Sequence, residues 1–189
     1  MELFYHEQID NQTKVFKLEG EEHIHIKKVL RKKEGQIVKF TNGNSYCFNA
    51  KIISIQEKES NFEIISKTKF ENPPFLHIAM SLLKSQTRFE IFLEKAVEIG
   101  VSEITPLICE RSQKKNMNIK RSTNILISAL KQSNKYFLPK LNEPQIFKNF
   151  IKNALFKDDF NDFQIILLIR IHHHNQNQSL LNFLEPNCL

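Results

Sequence analysis

Tryptophan is absent from the 189 residues, and glycine occurs only at positions 20, 35, 43 and 100, so the stretch from Val101 to Leu189 has none. Backbone loops that wrap a nucleotide or phosphate ordinarily need glycine for close approach or positive φ. Neither a GxGxxG nor a Walker A pattern occurs, so the common dinucleotide and P-loop sites are excluded. Cysteine is equally sparse. Cys47, Cys109 and Cys188 form no CxxC pair and are odd in number, which excludes a disulfide framework and suits small buried side chains in a reducing compartment. The longest aliphatic run, Ile165 to Ile169, stops at Arg170 and is far shorter than the roughly 20 apolar residues that cross a bilayer. Residues 1–10 mix Glu2, His6, Glu7 and Asp10 with apolar residues and carry no secretory signal pattern. A cytoplasmic protein with no membrane partner is the expectation.

What is present is ordinary for a globular chain: 41% hydrophobic and 25% charged residues, with 16 Phe. From Gly35 to Lys67 the pattern is that of strands, with Thr41-Asn42-Gly43-Asn44 between two apolar runs. Asn-Gly predicts a type I′ hairpin turn, since both residues accept positive φ. The first seventy residues are expected to form a small β-barrel or meander. Before the strands, Ile26, Val29 and Leu30 recur at helical spacing, which predicts a short amphipathic helix with a basic face. Asn72-Pro73-Pro74 then marks a boundary between domains at 1–72 and 73–189.

Beyond it, Phe75 to Leu83 reads as a strand buried on both faces of a parallel sheet. A helix follows, with Thr87 and Glu90 as its capping box, Phe89, Phe92, Leu93, Ala96 and Val97 as its apolar stripe and Gly100 at its end. A strand at Glu103 to Ile108, a helix around Leu126, Ala129, Leu130 and Ser133, a third helix on Ile146, Phe147, Phe150, Ile151 and Leu155, and a strand at Gln164 to Ile171 complete an α/β pattern.

The formal charge of +6 is uneven. Residues 1–72 hold 12 Lys and Arg against 11 Asp and Glu, whereas Glu110 to Lys140 alone hold eight basic residues against one acidic. That block, with the second cluster at Lys27 to Lys33, points to a polyanion partner, because each phosphate neutralised releases counterions. The same charges also fit a solvated helix face in a lysine-rich chain, with 22 Lys against 5 Arg. No evenly spaced aromatics accompany them, so stacking on single strands is not indicated.

No metal site is expected. His172, His173 and His174 are adjacent, so on a strand they alternate faces and cannot converge on one ion. His23 and His25 lack a third ligand and suit a structural or RNA-facing role, and Glu90, Glu94 and Glu98 suit a solvated helix edge. No Ser-His-Asp or Cys-His arrangement stands out, and the catalytic residue stays unassigned.

His25-Ile26-Lys27-Lys28-Val29-Leu30-Arg31 with Gly35, then Lys84, Arg88, Glu94-Lys95-Ala96-Val97-Glu98-Ile99-Gly100-Val101, Ile104-Thr105-Pro106, Glu110-Arg111-Ser112, Ala129, Gln132-Ser133 and Pro139 resemble the ribosomal small-subunit methyltransferase E family in order and spacing, over about Met1 to Ile151. That family methylates N3 of a uridine in 16S ribosomal RNA. The resemblance implies an N-terminal PUA-like β-barrel and a C-terminal SPOUT-type α/β domain that forms a homodimer and binds S-adenosylmethionine in a trefoil knot. It implies that Lys27, Lys28, Arg31, Arg88, Arg111, Lys120 and Arg121 contact RNA phosphates, with Lys84, Ser112 and Gln132 near the catalytic cleft. The partner implied is 16S ribosomal RNA or the small ribosomal subunit.

The family's cofactor loops, Gly-Pro-Glu-Gly-Gly and Leu-Gly-x-x-Ile-Leu-Arg, have no counterpart in this glycine-poor sequence. The SPOUT domain is therefore expected to be incomplete at its C-terminus, with the knot segment missing, no cofactor-binding residue identifiable, and S-adenosylmethionine bound weakly or not at all. A non-catalytic RNA-binding protein and a decaying gene product without a stable fold are the alternatives.

Overall fold

The structure is a computed structural model that describes residues 2–110, 112–155 and 164–168. It contains two sheets. The first has five strands, β1 (Leu3–Tyr5), β2 (Val15–Glu19), β3 (Ile37–Thr41), β4 (Tyr46–Ile55) and β5 (Glu59–Lys69), in the order β1-β3-β4-β5-β2. All pairs are antiparallel except β1 with β3. The expected barrel takes the form of a curled half-barrel. Register shifts at Asn49/Ala50 and Ile52/Ser54 lie on the long β4–β5 ribbon, and such irregularities bend a strand and raise its twist. Across the gap between β1 and β2, the His6 ring meets the Lys17 carbonyl at 3.1 Å and Phe16 edge-on at 5.1 Å. Alternate residues point inward, and Phe4, Phe16, Phe40, Phe48 and Phe62 fill the interior with Leu18, Ile26, Val38 and Ile52.

Helix α1 (Gly20–Ile24) runs into a π-helical turn at His25–Val29. The helix thus starts earlier than its hydrophobic spacing predicts, and the wider turn alters which residues face inward. Ile26 and His23 are buried, while Val29 is 63% exposed instead of joining the stripe. His23 is structural, hydrogen-bonded to Ser60 Oγ at 2.8 Å and the Glu57 carbonyl at 3.2 Å. The β3–β4 connection is also longer than a two-residue I′ turn. It spans 42–45, with positive φ at Gly43 and Ser45 rather than at Asn42. Asn42 instead donates from its amide to the Ile9 carbonyl and accepts from the Asn44 N–H, so its side chain shapes the loop.

The second sheet is parallel, in the order β10-β6-β7-β8, built from β6 (Leu76–Ser81), β7 (Glu103–Ile108), β8 (Lys140–Leu141) and β10 (Gln164–Leu168), with β9 (Gln145–Ile146) also on β7. Three helices accompany it: α2 (Gln86–Ile99), α3 (Ile119–Gln132) and α4 (Phe147–Leu155). Ile78 and Ile104 pack against Phe89, Leu93, Ala96, Val97, Leu126 and Leu130 of α2 and α3. Ala79, next to Ile78, and Leu107, three residues beyond Ile104, point the other way and face Phe150 of α4, so both faces of the sheet are covered. The capping residue of α2 is Ser85, whose Oγ accepts from the Arg88 N–H, and not Thr87, which lies inside the first turn. Gly100 ends the helix at φ +83°, as expected. Ile146 belongs to β9 and not to the stripe of α4. Residues 169–171 of the expected last strand, and His172 to His174, lie outside the described residues. Among the described residues, no helix is long and apolar enough to cross a membrane.

Candidate RNA-binding surface

In parallel sheets, functional side chains collect beyond the carboxyl ends of the strands, where loops leave the sheet and helix N-termini point outward. Five of the residues singled out above meet at that edge. Lys84 stands in the β6–α2 loop and Arg88 in the first turn of α2, both exposed. Ser112 follows β7, and Lys120 and Arg121 open α3, where Asn118 caps the helix by accepting from the Arg121 N–H at 3.0 Å. Lys114 and Lys115 add two more cations to the 112–118 segment. Arg111 lies outside the described residues.

Two of these side chains have structural partners. Ser112 Oγ accepts from the Cys109 N–H at 3.0 Å while its own N–H donates to the Cys109 carbonyl, tying the chain into a tight turn after β7. Arg121 grips Glu90 of α2, Nε to Oε1 at 2.7 Å and Nη2 to Oε2 at 3.3 Å. Its guanidinium, with a hydrogen bond from Gln86, holds the Glu90 carboxyl below the usual glutamate range, and Glu90 in turn raises Arg121. The pair joins α2 to α3 across an open groove of about 620 Å³ whose walls include Glu94, Lys120, Asn124 and Ser128. Glu90 reads as a plain solvated edge in the sequence, because its partner lies 31 residues away and no local signal marks it.

Gln132 is not brought to this edge. It is the last residue of α3, about 20 Å from the first at 1.5 Å per residue. Lys27, Lys28 and Arg31 form a second cluster on and just after the π-helical turn, with Lys27 Nζ donating to the Gln56 carbonyl at 2.8 Å. Arg31 holds φ +49°, a left-handed conformation that disfavours any side chain. It serves there as the helix terminator that glycine usually supplies, with Lys32 N–H returning to the Ile26 carbonyl at 3.1 Å. The two clusters are linked through α3, since Lys131 near its end is ion-paired with Glu22 of α1.

The cleft at the ends of β6 and β7 is too small for an adenosyl cofactor. Lying between Leu82, Phe89, Met117 and Asn118, it holds about 20 Å³, room for one water. Among the described residues, no group of three or more His, Cys, Asp and Glu side chains is placed to hold a metal ion.

Two family models match the sequence: an RNA methyltransferase domain over residues 70–186 and an RNA methyltransferase PUA domain over residues 18–65. The ribosomal RNA small subunit methyltransferase E of Buchnera aphidicola is 34% identical over 144 residues, which is 72% of this chain and 56% of that relative. The chain thus spans little more than half the length of that curated relative. A protein of Legionella pneumophila assigned as a methyltransferase and solved with the cofactor SAM bound superposes with a TM-score of 0.72 at 26% identity, over 88% of this chain and 78% of that one. A ribosomal RNA small subunit methyltransferase E from Neisseria gonorrhoeae, bound to S-adenosyl methionine, gives 0.72 at 21% identity over 89% and 78%, a likeness of fold.

Proposed function

The chain belongs to the RNA methyltransferase family, and from that membership we propose that it acts in transfer of a methyl group from S-adenosylmethionine to N3 of a uridine in 16S ribosomal RNA. The observation that carries the reading is the gathering of Lys84, Arg88, Lys120 and Arg121 at the carboxyl edge of β6 and β7, with Lys27, Lys28 and Arg31 as a second basic cluster. The division into an RNA-holding domain at 1–72 and a methyltransferase domain at 73–189 is supported by the change from the curled sheet to the parallel one around Pro73-Pro74. A homodimer working on the small ribosomal subunit in the cytoplasm completes the proposal, on the strength of the family resemblance.

The described residues contribute RNA binding and base positioning. Uridine N3 must lose its proton before it can attack an electrophilic methyl carbon, and a cation beside the base favours the N3 anion. Lys84 and Arg88, exposed where the chain leaves β6, are the side chains proposed for that place. S-adenosylmethionine, when bound, would supply the electrophilic methyl group. The alternative, second reading is RNA binding without methyl transfer, which the family membership does not favour.

Small ribosomal subunits incubated with the protein and methyl-labelled S-adenosylmethionine, followed by nucleoside mass spectrometry, separate the two. N3-methyluridine in the 16S RNA supports the enzyme. RNA binding with a steep salt dependence, no labelled product and no calorimetric cofactor binding at micromolar concentration supports the second reading. Absence of RNA binding overturns both.

A further inference from the structure

Between the two sheets the chain makes a seam. After α3, Asn134 reverses direction at φ +52°, and residues 136–138 lie along the β3–β4 loop like an added strand. Ser45 N–H donates to the Tyr136 carbonyl at 2.7 Å, Leu138 N–H donates to the Gly43 carbonyl at 2.8 Å, and Asn44 faces Phe137 as an antiparallel bridge. The Tyr136 ring stacks on Phe70 at 4.4 Å. Gly43 is the tightest point. A β-carbon there would lie 2.8 Å from Leu138 Cβ and 3.4 Å from the Tyr5 ring, at a φ of +77°. Any side chain at Gly43 must therefore part the seam.

The seam begins just past the C-terminal end of α3, beyond Lys131 and its ion pair with Glu22. Lys28 and Arg31 follow Glu22 within about three helical turns, and Glu22 is paired with Lys131, while Lys120 and Arg121 stand roughly 15 Å up α3 from Lys131. Building on the RNA reading above, we propose that the seam fixes both clusters as one RNA-binding face of set span, and that Gly43 is its positioning residue. Two clusters held on a rigid frame engage one RNA with the second contact already prepaid, and both contribute released counterions to the same equilibrium. Loosened, each cluster binds on its own.

The test measures binding of a 16S ribosomal RNA transcript to the full chain across a salt series. Gly43→Val is expected to lower affinity at least about tenfold and to flatten the slope of log affinity against log salt, although no charge has been removed. With Gly43 kept, Asn44→Cys and Phe137→Cys, facing positions within disulfide reach, should hold affinity and slope at the wild-type values when oxidised. Should Gly43→Val fail to fold, Lys131→Glu breaks the adjoining link between α3 and α1 by setting two carboxylates face to face, and the exchange of both partners, Glu22→Lys with Lys131→Glu, should restore the slope. A wild-type slope in the opened variants overturns the inference while leaving the RNA reading intact. A wild-type protein that does not bind the transcript overturns the RNA reading and this inference with it.

Discussion

The curled sheet is filled with rings, with Phe16 stacked on Phe62 and Phe40 edge-on to both at 4.9 and 5.0 Å, whereas the parallel sheet is packed mainly with Ile, Leu, Val and Ala from α2 and α3. The difference follows from what each sheet has to lean on. A small sheet curled on itself, with one short helix, must cover its interior with large side chains, and edge-to-face phenylalanines do so at favourable ring angles. A parallel sheet with helices on both faces needs small and branched residues that let the backbones approach. Their cations are held differently as well. The first sheet presents Arg31 through an unusual backbone, the second presents Lys84, Arg88 and Lys120 from ordinary loops and helix starts.

The most damaging way to break this comparison is Phe40→Ala, which removes the ring that contacts Phe4, Phe16 and Phe62. A loss of about 3–5 kcal/mol is expected in urea titration. A loss under about 1 kcal/mol would mean that the rings do not carry that core. Arg31→Gly sharpens the contrast between the two ways of presenting charge. The left-handed backbone costs an arginine about 1 kcal/mol, so the variant should be more stable by roughly that amount. It should also bind RNA more weakly, with a salt slope lower by about one, if Arg31 meets a phosphate. Greater stability with unchanged binding would assign the strain to no function.

The smallest effect concerns the amino edge of the parallel sheet. Burial pushes the Glu103 carboxyl up, but the Asn142 amide at 2.6 Å, the charge of His77 and Lys140 outweigh it and hold the group below its ordinary value of 4.5. A depressed carboxylate stabilises the fold above that ordinary value and ceases to do so as pH falls through its folded value. Glu103→Gln should therefore be less stable than wild type near pH 7, with the gap narrowing in thermal melts as the pH falls below the carboxyl's ordinary value of 4.5.

Much of the second sheet is legible in the sequence, because α2 and α3 bury a 3.6-residue stripe and β6 follows paired prolines as a continuous apolar run. Features fixed by distant contacts are not. Two-residue strands such as Lys140–Leu141 and Gln145–Ile146 exist only because β7 offers them an edge. Asn42-Gly43 carries a strong hairpin signal, and the hairpin forms, yet its turn is reshaped by Ile9 on one side and Phe137 and Leu138 on the other. Within the candidate surface, the basic residue types are visible in the sequence, but the Glu90–Arg121 clasp and the placement of Gln132 away from Lys84 become visible only once α2 and α3 are packed.

The absence of tryptophan gives the seam an optical consequence. The chain has three tyrosines. Tyr136 lies in the seam, Tyr5 packs beside Gly43, and Tyr46 begins β4 directly after the same loop. Intrinsic fluorescence, which in most proteins reports an average over scattered indoles, here reports one junction. Because that junction joins residues 95 positions apart at Thr41 and Tyr136, its emission during refolding should follow the slow closure of a long chain segment and not the formation of any single helix or strand.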